Sequence, residues 1–503
     1  MLLASLLLAA AVDPVLAHYD AHESKHLVPM LSEVLRFQTY QHNDDAHAQQ
    51  KAWLMQAASD LGFVARDAGK ITEIELPGPE NAPVLGLVVH GDVVPVDADA
   101  WAFGPFDGRV EKGYVLGRGA ADDKGPLVQA LLAMKALKES GVARTHTVRL
   151  LVGSEEESSA NEIPEYLKTH KAPDYSLVLD SEFPAVVGEK AWDGIAIVSP
   201  LADRGESTKR FTVGRIDAGL SPSIVPDRAE VKLYWKGGSV NWDATIEELA
   251  RVDLPEARRL AVAPEADAVE ILRVVAYGKS AHAGVNLAGG KNALVILANA
   301  LEGKLPAGGA NDLLAFVRMA GRDLHGTGLG ITDSDPVWGR YGVNIATIKP
   351  HEDEPLKKAV LFINLRRIPP RTAAQLKAHL AHVVADFNKR TGAALSIDDK
   401  LSYFEDEPFG VDRNAKLVRR LMDAYARATG TKNPKPAISG GGTYAKRLPN
   451  AIAFGMWFPG QPYPGHDVNE KVAIDDLQRG AKVLIHALTD IATGPRMEAP
   501  LVP

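Results

Sequence analysis

The residues best suited to chemistry are histidines and carboxylates that follow apolar runs. His90-Gly91-Asp92 comes directly after Val84–Val89 (VLGLVV). In an extended chain His90 and Asp92 point the same way, so His90 can ligate a metal while Asp92 holds its second ring nitrogen. Gly117-Arg118-Gly119-Ala120-Ala121-Asp122-Asp123-Lys124-Gly125 sets an acidic pair among glycines that permit a tight turn. One carboxylate there could bridge two cations, or the pair could simply cap a helix. Ser154-Glu155-Glu156-Glu157-Ser158 holds three adjacent carboxylates, which need cations if buried and form a solvated loop if not. Asp180, in Leu179-Asp180-Ser181-Glu182-Phe183-Pro184, and His466, in Gly465-His466-Asp467, complete the set. Imidazole and carboxylate without thiolate suit Zn²⁺, Mn²⁺ or Co²⁺. Two such ions about 3.5–4 Å apart can acidify a water and polarise a carbonyl, with a free carboxylate as general base. The chain has no cysteine, which excludes disulfides, thiolate-held zinc and a thiol nucleophile.

The elements around these residues give them their meaning. Val84–Val89, Thr147–Val152 (TVRLLV) and Ser176–Leu179 are continuous apolar runs, as expected of strands buried on both faces. Pro126–Leu137 has helical apolar spacing. The alternation predicts an α/β domain, a mostly parallel sheet with helices on both faces. Sites in such sheets form at the carboxyl ends of strands, where His90, the Glu155–Glu157 run and Asp180 fall. Beyond Trp192 the segments Arg210–Val213, Ala229–Trp235, Val269–Ala276 and Ala359–Leu365 read as strands, mixed with helices over Asn292–Glu302 and Thr372–Thr391. That is the texture of an α+β insertion. From about Pro408 come a long helix, the turn Gly440–Gly442, a strand at Ala451–Phe454 and a final helix at Ile474–Thr493. The expected organisation is a catalytic domain from residues 18–191 and 408–503, interrupted by a lid domain over 192–407, long enough for its own core.

Length and composition bound the alternatives. A chain of 503 residues exceeds one ordinary core. A net charge of −8 argues against a nucleic-acid partner. Residues 1–17 (MLLASLLLAAAVDPVLA) read as a signal peptide with its cut before His18, so a periplasmic or secreted protein is expected. A buried N-terminal helix on a cytoplasmic protein is the alternative. The run is too short, and too interrupted by Asp13 and Pro14, to span a membrane, and no other stretch is long enough.

Together, Trp101, Gly104-Pro105-Phe106, Gly117-Arg118-Gly119 and Asp122-Asp123-Lys124-Gly125 resemble the signature of the co-catalytic zinc metallopeptidase superfamily, which contains aminoacylases, deacetylases, glutamate carboxypeptidases and dipeptidases. The likeness covers essentially residues 20–500. Asp180-Ser181-Glu182-Phe183-Pro184, Gly188-Glu189-Lys190, Ser439-Gly440-Gly441-Gly442-Thr443-Tyr444 and the His466…Asn469-Glu470 ending are similar to PepV-type dipeptidases. The resemblance implies a phosphorylase/hydrolase-like mixed sheet with an inserted lid of two ferredoxin-like halves. It implies two divalent metals, foremost zinc, with manganese or cobalt as alternatives. His90 and Asp180 would hold one, Glu157 and His466 the other, and Asp122 would bridge across a cis Asp122–Asp123 peptide. Glu156 would be the general base and Asp92 would orient His90.

In the lid, Gly278-Lys279-Ser280-Ala281-His282-Ala283 resembles the segment whose histidine stabilises the oxyanion, giving that role to His282. Arg366, or Arg367 beside it, matches an arginine that grips the substrate's C-terminal carboxylate, helped by backbone N–H groups of Gly441 and Gly442. The sequence departs from the family at Ser223-Ile224-Val225-Pro226, where Ser223 stands in place of an asparagine near the oxyanion. The implied activity is hydrolysis of dipeptides by a monomer, a homodimer being the alternative. An N-acyl amino-acid amidohydrolase or a glutamate-type carboxypeptidase would use the same metal site. A non-catalytic binding protein on this fold would lack a ligand or the base, and every one of those positions is filled.

Overall fold

The computed structural model describes residues 11–204, 211–235, 260–265 and 268–496. The first ten residues of the expected signal segment, and Arg210, lie outside the described residues. The chain forms two compact units, residues 1–189 with 409–503 and residues 190–408.

In the first unit the strands expected at the three apolar runs are Val84–His90, Thr147–Gly153 and Tyr175–Val178. The central sheet runs Val64–Ala68, Ile71–Leu76, Thr147–Gly153, Val84–His90, Tyr175–Val178, Ala451–Ala453, Val186–Glu189, Phe409–Gly410. Its middle four strands are parallel, and its flanks are antiparallel. Successive side chains leave on opposite faces. Leu85, Leu87, Val89, Leu150, Val152 and Leu177 enter one core, while Val88, Leu151 and Val178 enter a second on the reverse face. Burial on both faces explains why these runs do not alternate with polar residues.

The larger core is closed by helices. Lys124–Glu139 is buried almost all round and is flanked by Ile474–Thr493, whose Leu477, Ala481, Leu484, Leu488 and Ile491 form one apolar stripe. Gly480 lets these helices approach, since a Cβ there would come within 2.7 Å of Gln129 Nε2. Each fully buried leucine of the stripe contributes roughly 1.5–3 kcal/mol. Residues 11–18 are helical, and Val15 and Tyr19 are completely buried in the same core.

The second unit is an eight-stranded antiparallel sheet ordered Leu260–Glu265, Ala268–Tyr277, Arg228–Trp235, Phe211–Ala218, Gly342–Pro350, Lys358–Arg367, Ala191–Pro200, Ser396–Phe404. Two four-stranded halves meet where Ala218 pairs with Ile348. The helices Ala293–Ala300, Gly309–Ala320 and Ala373–Thr391 share one core with it. The last starts at a Thr372/Gln375 capping box and stops at Gly392, whose φ of 73° suits the left-handed residue that ends a helix. Among the described residues no helix is long and apolar enough to cross a membrane.

Candidate metal centre

Register brings the strand ends together. His90 is paired with Gly153, and Val88 with Val178. The chain therefore delivers His90, the Glu155–Glu157 loop and Asp180 side by side at the carboxyl edge of three parallel strands. Asp122 arrives from the turn before Lys124–Glu139, across a cis Asp122–Asp123 peptide. Asp123 stands at that helix's N-cap but makes no capping bond; its Oδ2 accepts the His90 amide at 3.0 Å. The helix-cap reading of the acidic pair is thus not realised.

Two clusters result, His90 with Asp122 and Asp180, and Asp122 with Glu157 and His466, the donor atoms in each lying within 4.8 Å of one another. Asp122 belongs to both. Its Oδ1 lies 3.0 Å from His90 Nε2 and its Oδ2 lies 3.3 Å from His466 Nε2. Asp180 Oδ2 is 3.9 Å from His90 Nε2, and Glu157 Oε1 is 2.9 Å from His466 Nε2.

The electrostatics of the cluster call for cations. Burial alone would lower His466, but Glu157 and Asp122 push it up to about 10. His90 is likewise raised, against its burial, by Asp122, Asp92 and Asp180. Burial raises Asp180 well above the carboxylate range, and the charges of Asp123 and Asp122 add to it. Burial also raises Glu156, with Glu157, Asp92 and Asp122 adding and His90 opposing. The protein alone thus holds protons here that divalent cations would replace, and the imidazole and carboxylate donors fit Zn²⁺, Mn²⁺ or Co²⁺.

Other carboxylates brace the site. The His90 ring Nδ1 is 3.0 Å from the Asp92 carbonyl and 3.5 Å from its carboxylate. The Asp92 carboxylate is committed elsewhere, accepting the amides of Glu156 at 3.2 Å and Glu157 at 3.0 Å. Glu162 accepts the Glu155 amide at 2.7 Å and is bonded by the Tyr444 hydroxyl. Glu189 takes the amide and hydroxyl of Thr443 at 3.0 and 2.7 Å, anchoring the loop of Gly441 and Gly442, where Ser439 Oγ also accepts the Gly441 amide. No role follows from the sequence for Glu162, Glu189 or Tyr444. Glu189 and Tyr444 lie inside recognised motifs, and a glutamate ending a buried strand is a signal in itself.

The remaining candidates lie in the second unit. Ser223 and His282 are neighbours there. The Ala283 amide donates to the Ser223 carbonyl at 2.8 Å, and the Ser223 hydroxyl oxygen accepts Trp192 Nε1 at 3.3 Å. Asn344 clamps the Ser223 turn through the carbonyls of Pro222 and Ile224. His282 Nδ1 accepts the amides of Gly284 and Val285 at 2.9 and 3.1 Å, so in the neutral ring Nε2 carries the proton. Arg366 is buried with its Nε donating to Asn364. Arg367 is enclosed by an ion pair to Asp193 at 2.8 Å and bonds to the carbonyls of Arg371 and Glu405.

Comparison with known proteins agrees with this architecture. A model of Peptidase family M20/M25/M40 matches residues 86–490. The chain is 30% identical to "Putative dipeptidase YtjP" of Bacillus subtilis over 82% of its own length and 84% of the relative's. It is 26% identical to "Putative dipeptidase SH1171" of Staphylococcus haemolyticus over 87% and 88%. Among solved structures, human carnosine dipeptidase 1 matches with a TM-score of 0.59 at 14% identity, over 96% of this chain and 98% of that one. The di-peptidase Dug1p from Saccharomyces cerevisiae matches with a TM-score of 0.57 at 13% identity, over 96% and 99%. At such identities the likeness is one of fold. The family match across four-fifths of the chain and the 30% identical relative are of another order, and by them this chain belongs to Peptidase family M20/M25/M40.

Proposed function

We propose that the protein is a dinuclear metal-dependent dipeptidase. The observation that carries this reading is Asp122, whose two oxygens each face a different histidine, each histidine accompanied by a further carboxylate. His90 and Asp180 would hold one ion, Glu157 and His466 the other, with Asp122 shared. Zinc is the first choice, manganese and cobalt the alternatives. Bound there, two divalent cations would acidify a water and polarise the scissile carbonyl.

Glu156 is the group of this chain that handles the proton. It takes one from the attacking water and returns it to the leaving amine. Asp92 keeps Glu156 in place through the loop amides. His282 donates from Nε2 to the oxygen on which negative charge develops. Arg366 and the amides of Gly441 and Gly442 receive the substrate's free carboxylate, a planar guanidinium suiting that group. Ser223 stands where the family's asparagine would, beside His282.

The chain acts as a monomer in this reading, and size-exclusion chromatography with light scattering separates that from a homodimer. We further propose export to the periplasm, with cleavage before His18; N-terminal sequencing of the fractionated protein tests it. The deciding assay is a panel of dipeptides against N-acetyl and N-succinyl amino acids on zinc-reconstituted protein. Turnover of free dipeptides is expected. Deacylation without dipeptide turnover would favour an amidohydrolase using the same centre.

A further inference from the structure

Glu470 lies four residues past His466 and has no exposed surface. It is not among the clustered donors. Its carboxylate instead takes four donors from one short segment. Oε2 accepts Arg118 Nη1 at 2.7 Å and the Gly119 amide at 3.1 Å, and Oε1 accepts the amides of Ala121 at 2.8 Å and Asp122 at 3.3 Å. Its backbone carbonyl accepts the Gly117 amide at 3.0 Å. Arg118 is itself buried, its guanidinium 5.2 Å from the centre of the Trp101 ring.

The gripped loop is also tied by backbone bonds, the Arg118 amide to the Pro105 carbonyl at 2.7 Å and the Lys124 amide to the Gly119 carbonyl at 3.0 Å. Gly119 has φ of 89°, and a Cβ there would come within 2.9 Å of Val93. Glu470 is fixed from its own side. Asn469 Oδ1 accepts the Ala102 amide at 2.7 Å, and Lys471–Ala473 pairs with Tyr114–Leu116. One carboxylate therefore fastens the segment leaving His466 to the segment entering Asp122, sequence positions almost 350 residues apart. A buried carboxylate is costly unless all its donors are in place, and charge-assisted bonds are the stronger kind. The arrangement accordingly favours one geometry of the two loops.

We propose that Glu470 is a positioning residue for the metal pair, setting where the two oxygens of Asp122 stand relative to His466 without itself touching metal or substrate. This rests on the reading of the cluster as a metal centre. In Glu470→Gln the side chain keeps its shape, but one acceptor oxygen becomes an NH₂ group facing N–H donors. Loss of an outer partner of this kind costs about 10–100-fold in metal affinity.

The test is zinc titration of metal-free wild type and Glu470→Gln against a competing chromophoric chelator, with the zinc-activation curve of peptide hydrolysis alongside. Both midpoints should move about 10–100-fold towards higher free zinc, with much of kcat recovered at saturating zinc. Leu488→Ala, a core truncation away from the centre, should lower Tm without moving either curve. Should the glutamine variant not fold, Glu470→Asp, which keeps the charge opposite Arg118 but retracts it, is read the same way. A folded Glu470 variant with the wild-type zinc curve, or with a shift no larger than that of Leu488→Ala, overturns the proposal. Failure of both Glu470 variants to fold would make it a folding residue and overturn it as well. A wild type that binds none of zinc, manganese and cobalt would instead sink the metal reading itself.

Discussion

Asp92 Oδ1 accepts the backbone amide of Glu156 at 3.2 Å, so the residue two past His90 also holds the loop of the proposed base. Its second oxygen holds Glu157 in the same way. Asp92→Asn turns one of these acceptors into a donor facing an N–H. We expect kcat to fall about 10–100-fold, the usual cost of losing a partner outside the ligand shell, with the circular dichroism spectrum unchanged. Wild-type kcat would remove Asp92 from the machinery.

Glu156→Gln keeps the volume and removes the base. The expected loss in kcat is on the order of 10²–10⁴, with metal content by plasma emission spectroscopy equal to wild type. Hydrolysis left intact would mean that another group carries the proton.

His282 is expected to act through Nε2, because two amides occupy Nδ1. His282→Ala should lower kcat by about 10²–10³, the effect of losing one oxyanion donor, while KM stays within a few-fold. A change confined to KM would assign His282 to ground-state binding instead.

Glu189→Gln loosens the Thr443 anchor of the glycine loop. Hydrogen bonds to charged groups contribute about 1.5–3 kcal/mol, so KM for a dipeptide should rise roughly tenfold or more, with kcat little changed. Equal loss in kcat would show that the loop serves the metal centre as well.

Acid should destabilise the first unit independently of the metals. Burial lowers His146 below its ordinary 6.5, aided by the Arg420 charge, and burial lowers His486, aided by Arg427. A folded-state pKa below the unfolded value gives stability that is present above about 6.5 and lost as pH falls through the lowered values. In metal-free protein the raised His90 and His466 titrate in the opposite sense, so the effect is read as a difference: between pH 8 and pH 5 the wild type should lose Tm relative to the double variant His146→Gln/His486→Gln. Parallel melting curves for both proteins would refute this assignment.

The residues alone determined the strand runs and what ends them. Val84–Val89 leads into His90, and Thr147–Val152, whose Arg149 is paired with Glu75, into the glutamate run, because an unpaired charge is costly inside a strand buried on both faces. The same local signals gave the final helix at Ile474–Thr493 and the family motifs. Tertiary structure alone decided that Asp122 turns one oxygen to each histidine, that the Asp92 carboxylate serves two amides more than the imidazole, and that Glu189 and Glu470 anchor loops from distant parts of the chain. Periodicity and motif spacing describe what a segment prefers next to solvent or core. Which donor meets a buried carboxylate depends on segments hundreds of residues apart packing into one place, and no local pattern encodes that partner.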